Sequence, residues 1–369
     1  MTHPLRVVQL NTVFNGGGVD NQTLELTAGL RDLGVKVAMA VAVDSRWESR
    51  AHALQVPVAT FPARSPLKWR TIMGVRSVIR EMRADVLHIH QGRDYWPGII
   101  GARLAGCGTR VVITRHLMTR PRGFSRKFLL RMARVIAVSK AVEKVIRAEL
   151  MGDSKRIFQA YCGFDVNRYL QVAPTAAKGI REREGWRPEH VVFGVVGMYD
   201  LPRGKGQVEF IEAAASVHQN FPNARFALIG QGSMRPLLQE RIAASGLDQV
   251  VKLIPFTDDI LPLEAALDVL VHPAVGTDAF PLVVLEGMIS GKPVIASAID
   301  GIVEQFQEGV QGFFVPRGDV AALTTAMSRL AGDAGLREQM GAAGRAHVAA
   351  NFTRARLAQN TLEIYQGIL

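Results

Sequence analysis

Three stretches of this chain combine residue types and spacing that suit a phosphorylated ligand. The most pronounced is Asp278-Ala279-Phe280-Pro281-Leu282-Val283-Val284-Leu285-Glu286, which follows an apolar run ending in His272-Pro273. Proline at the start of a helix leaves the amides of Leu282 and Val283 free, so this terminus can hold phosphate oxygens. Glu286 falls about one turn further along. From there a carboxylate can accept hydrogen bonds from ribose hydroxyls, as acidic residues do in other nucleotide folds. A plainer reason for Glu286 is that a carboxylate in the first turns of a helix complements its dipole.

The second stretch runs Val196-Gly197-Met198-Tyr199-Asp200-Leu201-Pro202-Arg203-Gly204-Lys205-Gly206, between a β-type run and a helix pattern that opens near Gln207. Two cations at the carboxyl edge of a parallel sheet stand where open α/β sheets bind ligands, and the charges of Arg203 and Lys205 suit a diphosphate. The third is Asn11-Thr12-Val13-Phe14-Asn15-Gly16-Gly17-Gly18-Val19, again between a strand pattern and a helix pattern. Its glycines permit close backbone approach to an anion at the helix start, which makes Gly17 and Gly18 candidate donor contacts. The loop has neither the G-x-G-x-x-G spacing of dinucleotide sites nor the G-K-[ST] of a P-loop. Taken alone, three glycines read as a tight turn.

The elements that must position these stretches alternate short β-branched runs with longer helical ones, the pattern of parallel sheets covered by helices. Strands are expected at 5–10, 35–43, 56–61, 85–90, 110–114 and 135–138. A second series follows at 191–196, 225–229, 250–254, 269–272, 293–296 and 312–315. A length of 369 residues suits two domains. Residues 172–188, rich in Pro, Gly and mixed charge, read as a linker between a first domain at 1–171 and a second at 189–351. The segment 352–369 reads as an amphipathic helix that crosses back to the first domain.

Composition narrows the function classes. Hydrophobic residues make up 48% and charged residues 21%, which describes a globular chain. Two cysteines, Cys107 and Cys162, build no disulfide framework, and no Cys/His spacing matches structural zinc. Neither an export signal nor a stretch of about 20 apolar residues is present, so the expected location is cytoplasmic with at most peripheral membrane contact. The net charge of +11 divides unequally, with +15 in residues 1–170 and −4 in 171–369. Its densest part, Arg110 to Arg134, interleaves Arg115, Arg120, Arg122, Arg126, Lys127 and Arg131 with Phe124, Phe128, Leu129 and Leu130. Such a surface suits an anionic membrane face or acceptor, and equally a solvated helix face. The acidic second half offers nucleic acid no continuous basic track.

The same motifs, with Thr114-Arg115-His116, Ile136-Ala137-Val138-Ser139, Tyr161-Cys162-Gly163-Phe164-Asp165, Ile229-Gly230-Gln231-Gly232 and Glu286 to Ser297, resemble glycosyltransferase family 4 over nearly the whole chain. That resemblance implies a GT-B fold, two Rossmann-like domains facing each other across a deep cleft, with the acceptor on the first and a nucleotide sugar on the second. It implies that Lys205 binds donor phosphates, that the Leu282 and Val283 amides complete that site, and that Glu286 binds the ribose. It also implies that Phe256 lies near the base, that Phe280 lies within the donor motif, and that His116 and Asp278 stand at the transferred sugar. Two departures are visible. Asp278 stands where the family has a glutamate, and Met198 where it usually has an arginine, for which Arg203 is the expected replacement.

The implied reaction is transfer with retention of anomeric configuration. The leaving diphosphate, held by cations and a helix terminus, needs no metal ion or other cofactor. The expected donor is a uridine diphosphate sugar, and the expected acceptor is a glycan, a lipid-linked sugar or a lipopolysaccharide-type molecule of the cell envelope. The rival readings are a nucleotide-sugar epimerase of similar fold and a non-catalytic nucleotide-sugar binding protein.

Overall fold

The structure, a computed structural model, describes residues 4–13, 17–43, 48–61, 69–121, 123–202, 204–257 and 259–369. The chain forms two compact units, Met1–Asp165 with Phe352–Leu369, and Val166–Asn351. No described helix is long and apolar enough to cross a membrane.

The first unit is built on seven strands, β1 (Arg6–Asn11), β2 (Lys36–Ala42), β3 (Val58–Phe61), β4 (Val86–Ile89), β5 (Arg110–Arg115), β6 (Arg134–Ala137) and β7 (Ile157–Gln159). They lie in the order β3-β2-β1-β4-β5-β6-β7, all parallel. The register runs from Arg6 opposite Lys36 to Asn11 opposite Val41, and from Val7 opposite Val86 to Leu10 opposite Ile89. Val7, Val8, Leu10, Met39, Leu87 and Ile89 are all fully buried, as expected of strands covered by helices on both faces. The sequence pattern led to six strands here; the seventh, β7, is a three-residue edge strand too short to show any alternation.

The second unit repeats the plan with six parallel strands, β8 (Val191–Val196), β9 (Ala224–Ile229), β10 (Val251–Ile254), β11 (Val269–His272), β12 (Val294–Ser297) and β13 (Gly312–Val315), in the order β10-β9-β8-β11-β12-β13. Phe193, Phe210 and Phe226 form an aromatic cluster in its core. In both sheets the order reverses beside the first strand, between β1 and β4 and between β8 and β11. The carboxyl edge at such a reversal leaves a crevice where loops diverge.

Residues 172–188, read as a linker, carry the helix Pro174–Glu184, which ends on Gly185 at φ +74°. The helix docks on the second unit through Arg181, which donates to Ala266 O at 2.9 Å and to Asp268 Oδ2 at 3.0 Å. The last helix, Arg354–Ile368, belongs to the first unit. It packs so closely on the helix Gly18–Asp32 that a Cβ on Gly29 would lie 2.7 Å from that of Ala358. Arg354 fixes its start, with Nε 2.6 Å from Glu25 and an amino group 3.3 Å from Asp165.

Candidate active site

In the second unit, backbone packing decides where the chemical groups stand. The loops after β8 and β9 touch main chain to main chain: Tyr199 N donates to Gln231 O, Tyr199 Oη to Gly230 O, and a Cβ on Gly230 would collide with Gly197 O. Gly206, at φ +85°, presses the β8 loop on the β11 loop, where a Cβ would collide with Pro273 O. This contact brings Lys205 beside the residues that follow β11.

Lys205 Nζ donates to Asp278 Oδ2 at 2.8 Å, and His272 Nε2 lies 3.0 Å from the same oxygen. Burial alone would raise the Asp278 carboxyl, but His272 and Lys205 outweigh it and hold the group at about 2. Asp278 is therefore a carboxylate at any working pH. Its loop is pinned by Asp300, whose Oδ2 accepts the Asp278 amide at 2.9 Å from a backbone at φ +45°.

The helix Leu282–Ile289 starts immediately after Pro281, so the amides of Leu282 and Val283 have no acceptor within the helix. Gln305 Nε2 holds Pro281 O at 2.8 Å. Glu286 lies on that helix and accepts from Tyr169 Oη at 2.9 Å. The Tyr169 phenol is pushed far up, by burial first and then by Glu286 and Glu264, so it stays a donor. Phe280 is buried and contributes packing rather than an open surface, whereas Phe256, after β10, is 45% exposed. Met198 and Leu201 are exposed as well. Arg203 lies outside the described residues, as does Gly16. Sequence reasoning missed Tyr169, His272, Glu264 and Asp300, which carry no motif of their own and meet the site only through the fold.

In the first unit, Gly17 and Gly18 open the helix Gly18–Asp32. The Gly17 amide donates to Asp20 Oδ2 at 3.2 Å, and Asn11 Nδ2 donates to Asp20 Oδ1 at 2.7 Å, so a carboxylate of the chain already sits at this terminus. His116 follows β5, and its Nε2 is buried without a hydrogen-bond partner among the described residues. Burial and then Arg115 hold its imidazole down at about 3, so it is neutral. It lines a small pocket together with His90, Thr114, Cys162 and Thr361. Behind it runs a buried polar chain: His90 Nε2 to Gln9 Oε1 at 2.7 Å, and His88 to Thr114 and to Tyr365 at 2.6 Å each. Tyr365 comes from the last helix, so that helix helps to build the surroundings of His116. No three His, Cys, Asp or Glu side chains among the described residues are grouped as metal ligands.

Two doubly wound units, each with charged or helix-terminal groups at the reversal of strand order, define a class of α/β protein that binds ligands at its sheet edges. Comparison with known families makes this specific. Residues 16–168 match the family model for glycosyltransferase family 4, and residues 190–333 that for glycosyl transferases group 1. The chain belongs to the family 4 glycosyltransferases, with their two Rossmann-like GT-B domains. It is 27% identical over 367 residues to the phosphatidyl-myo-inositol mannosyltransferase of Mycobacterium leprae, covering 95% of this chain and 93% of that protein. Among solved structures, Anabaena Alr3699/HepE in complex with UDP matches with a TM-score of 0.84 at 23% identity, covering 98% of this chain and 100% of that one. A glycosyltransferase from Rickettsia africae matches with a TM-score of 0.87 at 18% identity, over 99% and 98% of the two chains.

Proposed function

We propose that this glycosyltransferase takes a hexosyl group from a nucleotide diphosphate sugar, a uridine diphosphate sugar first, and passes it with retention to a glycan, lipid-linked or lipopolysaccharide-type acceptor of the cell envelope. The observation that carries this reading is the convergence, at one sheet edge of the second unit, of Lys205, Asp278, the open start of the helix Leu282–Ile289, and Glu286. Lys205 and the Leu282 and Val283 amides take the diphosphate, and Arg203 adds charge to it. Glu286 takes the ribose, and Phe256 offers an exposed ring to the base.

Asp278 is a carboxylate with its Lys205 partner in place, which suits acceptance of sugar hydroxyl protons. The charge that develops on the leaving diphosphate falls on Lys205 and the helix start, so the step needs neither a protein nucleophile nor a metal ion. The neutral His116 of the first unit suits hydrogen bonding to a sugar and not charge pairing. The first unit is the acceptor domain. The UDP held by HepE supports the donor class, and the phosphatidyl-myo-inositol after which the mannosyltransferase is called supports the acceptor class.

Peripheral attachment to the inner membrane face is supported by the helix Gly123–Met132, where Phe124 is 57% exposed beside Arg126, Lys127 and Arg131. Part of that charge is used internally, since Arg120 and Arg126 both approach Glu149.

Calorimetric titration with uridine, guanosine and adenosine diphosphates, with and without chelator, tests the donor site. One nucleotide should bind regardless of chelator and lose its affinity in Glu286→Ala. Absence of binding by all three would overturn the reading. Consumption of donor without acceptor would favour an epimerase, and binding without turnover would favour a binding protein.

A further inference from the structure

Glu264 adjoins Tyr169 and Glu286 at the edge of the donor site. It lies on the helix Leu261–Ala266, is 1% exposed, and neither carboxyl oxygen has a hydrogen-bond partner among the described residues. The groups around it are accounted for. Glu286 and Tyr169, from the helices Leu282–Ile289 and Val166–Leu170, face it and are bonded to each other. Arg168, beside Tyr169, acts on that phenol. Arg181, on the helix Pro174–Glu184, is engaged by Asp268 and by the carbonyls of Ala266, Arg187 and His190. Lys292 Nζ donates to Ala265 O at 2.8 Å. None of these supplies a hydrogen bond to Glu264.

A fully buried carboxylate with no donor on either oxygen is not tolerated as an ion. A second anion immediately behind Glu286 would also repel the several negative charges of a nucleotide diphosphate. We propose that Glu264 is held as the neutral acid and that this proton keeps the ribose end of the donor site at the single negative charge of Glu286, so that proton and nucleotide bind together. The inference rests on the donor-site reading. Burial and then Glu286 push the Glu264 carboxyl well above the ordinary glutamate range, in agreement with the geometry. Glu264 acts through Glu286 and needs no contact with the nucleotide; it is a positioning residue whose effect is charge.

Two measurements on wild type and Glu264→Gln decide the proposal. The first is unfolding stability from about pH 5 to about pH 9. A carboxyl raised by folding keeps its proton in the native chain after the unfolded chain has lost it. Wild-type stability therefore falls as pH rises from the ordinary glutamate range towards the native value. Glutamine has no such proton, so the variant's unfolding midpoint should exceed the wild type's by a gap that widens with pH. A gap independent of pH overturns the neutral acid.

The second is calorimetric titration with UDP over the same range. The affinities of wild type and Glu264→Gln should agree at the acid end and diverge, by up to about tenfold in favour of the variant, as alkaline pH removes the wild-type proton. Parallel affinities across the range overturn the coupling to nucleotide. Failure of both proteins to bind UDP at every pH would instead count against the donor site, while the stability series would still report on Glu264.

Discussion

Asp278 shows how one side chain can be made reliable by its neighbours. A lone buried carboxyl would favour the neutral acid, but His272 and Lys205 meet the same oxygen and reverse the sign. A shift from 3.8 to about 2 is worth about 2 kcal/mol of native stability. That stability is fully present above the ordinary aspartate value, falls by roughly half near pH 3, and is lost below the native value. Asp278→Asn should therefore lower the unfolding midpoint at pH 6, and the gap to wild type should shrink as pH falls from about 5 to about 3. Thermal melts at each pH check this, and transfer activity of the variant should be lost at every pH. Tyr169→Phe removes one hydrogen bond to Glu286 and leaves the ring in place. It should weaken nucleotide binding by about 1 kcal/mol, roughly fivefold, with kcat less affected than KM. An unchanged affinity would show that Tyr169 only fills space.

Elements place these side chains through a few close backbone contacts. Gly206→Ala adds a Cβ at φ +85° that would collide with Pro273 O. The β8 and β11 loops must then part, separating Lys205 from Asp278. The expected cost is about 1–3 kcal/mol, read from the urea midpoint, with loss of nucleotide binding. The alternating strand and helix pattern made most of this frame legible in advance. β8, β11 and β13 appear at the bounds their apolar runs suggested, and the remaining expected strands shift by one or two residues at one or both ends. What stayed hidden was either too short or too dependent on tertiary contact. β7 has three residues, and the helix Pro174–Glu184 gains its hold from Arg181 on Asp268, a partner far along the chain. The site was legible in the same measure. Lys205, Asp278 and Glu286 stand in motifs, whereas Tyr169 and Glu264 are ordinary residues of helices until the fold turns them towards Glu286.

At the scale of the whole molecule, the two units differ in how the chain completes them. The second is one continuous stretch, Val166–Asn351, and contains every proposed nucleotide contact except Gly17 and Gly18. The first is finished only by the last helix, which supplies Ala358 against Gly29, Arg354 to Glu25, and Tyr365 Oη to the buried His88. Deleting residues 354–369 would open that face, exposing Leu26, Leu30 and Val37 and leaving His88 without its phenol partner. Each fully uncovered apolar side chain costs about 1.5–3 kcal/mol, so several together exceed the usual stability margin of a domain. Scanning calorimetry of the shortened chain should show the first unit's transition lost or moved far down, with the second unit's transition still raised by UDP. Transferase activity should be absent while UDP binding persists. If UDP binding disappeared with the helix, the nucleotide site would have to draw on the first unit far more than Gly17 and Gly18 allow.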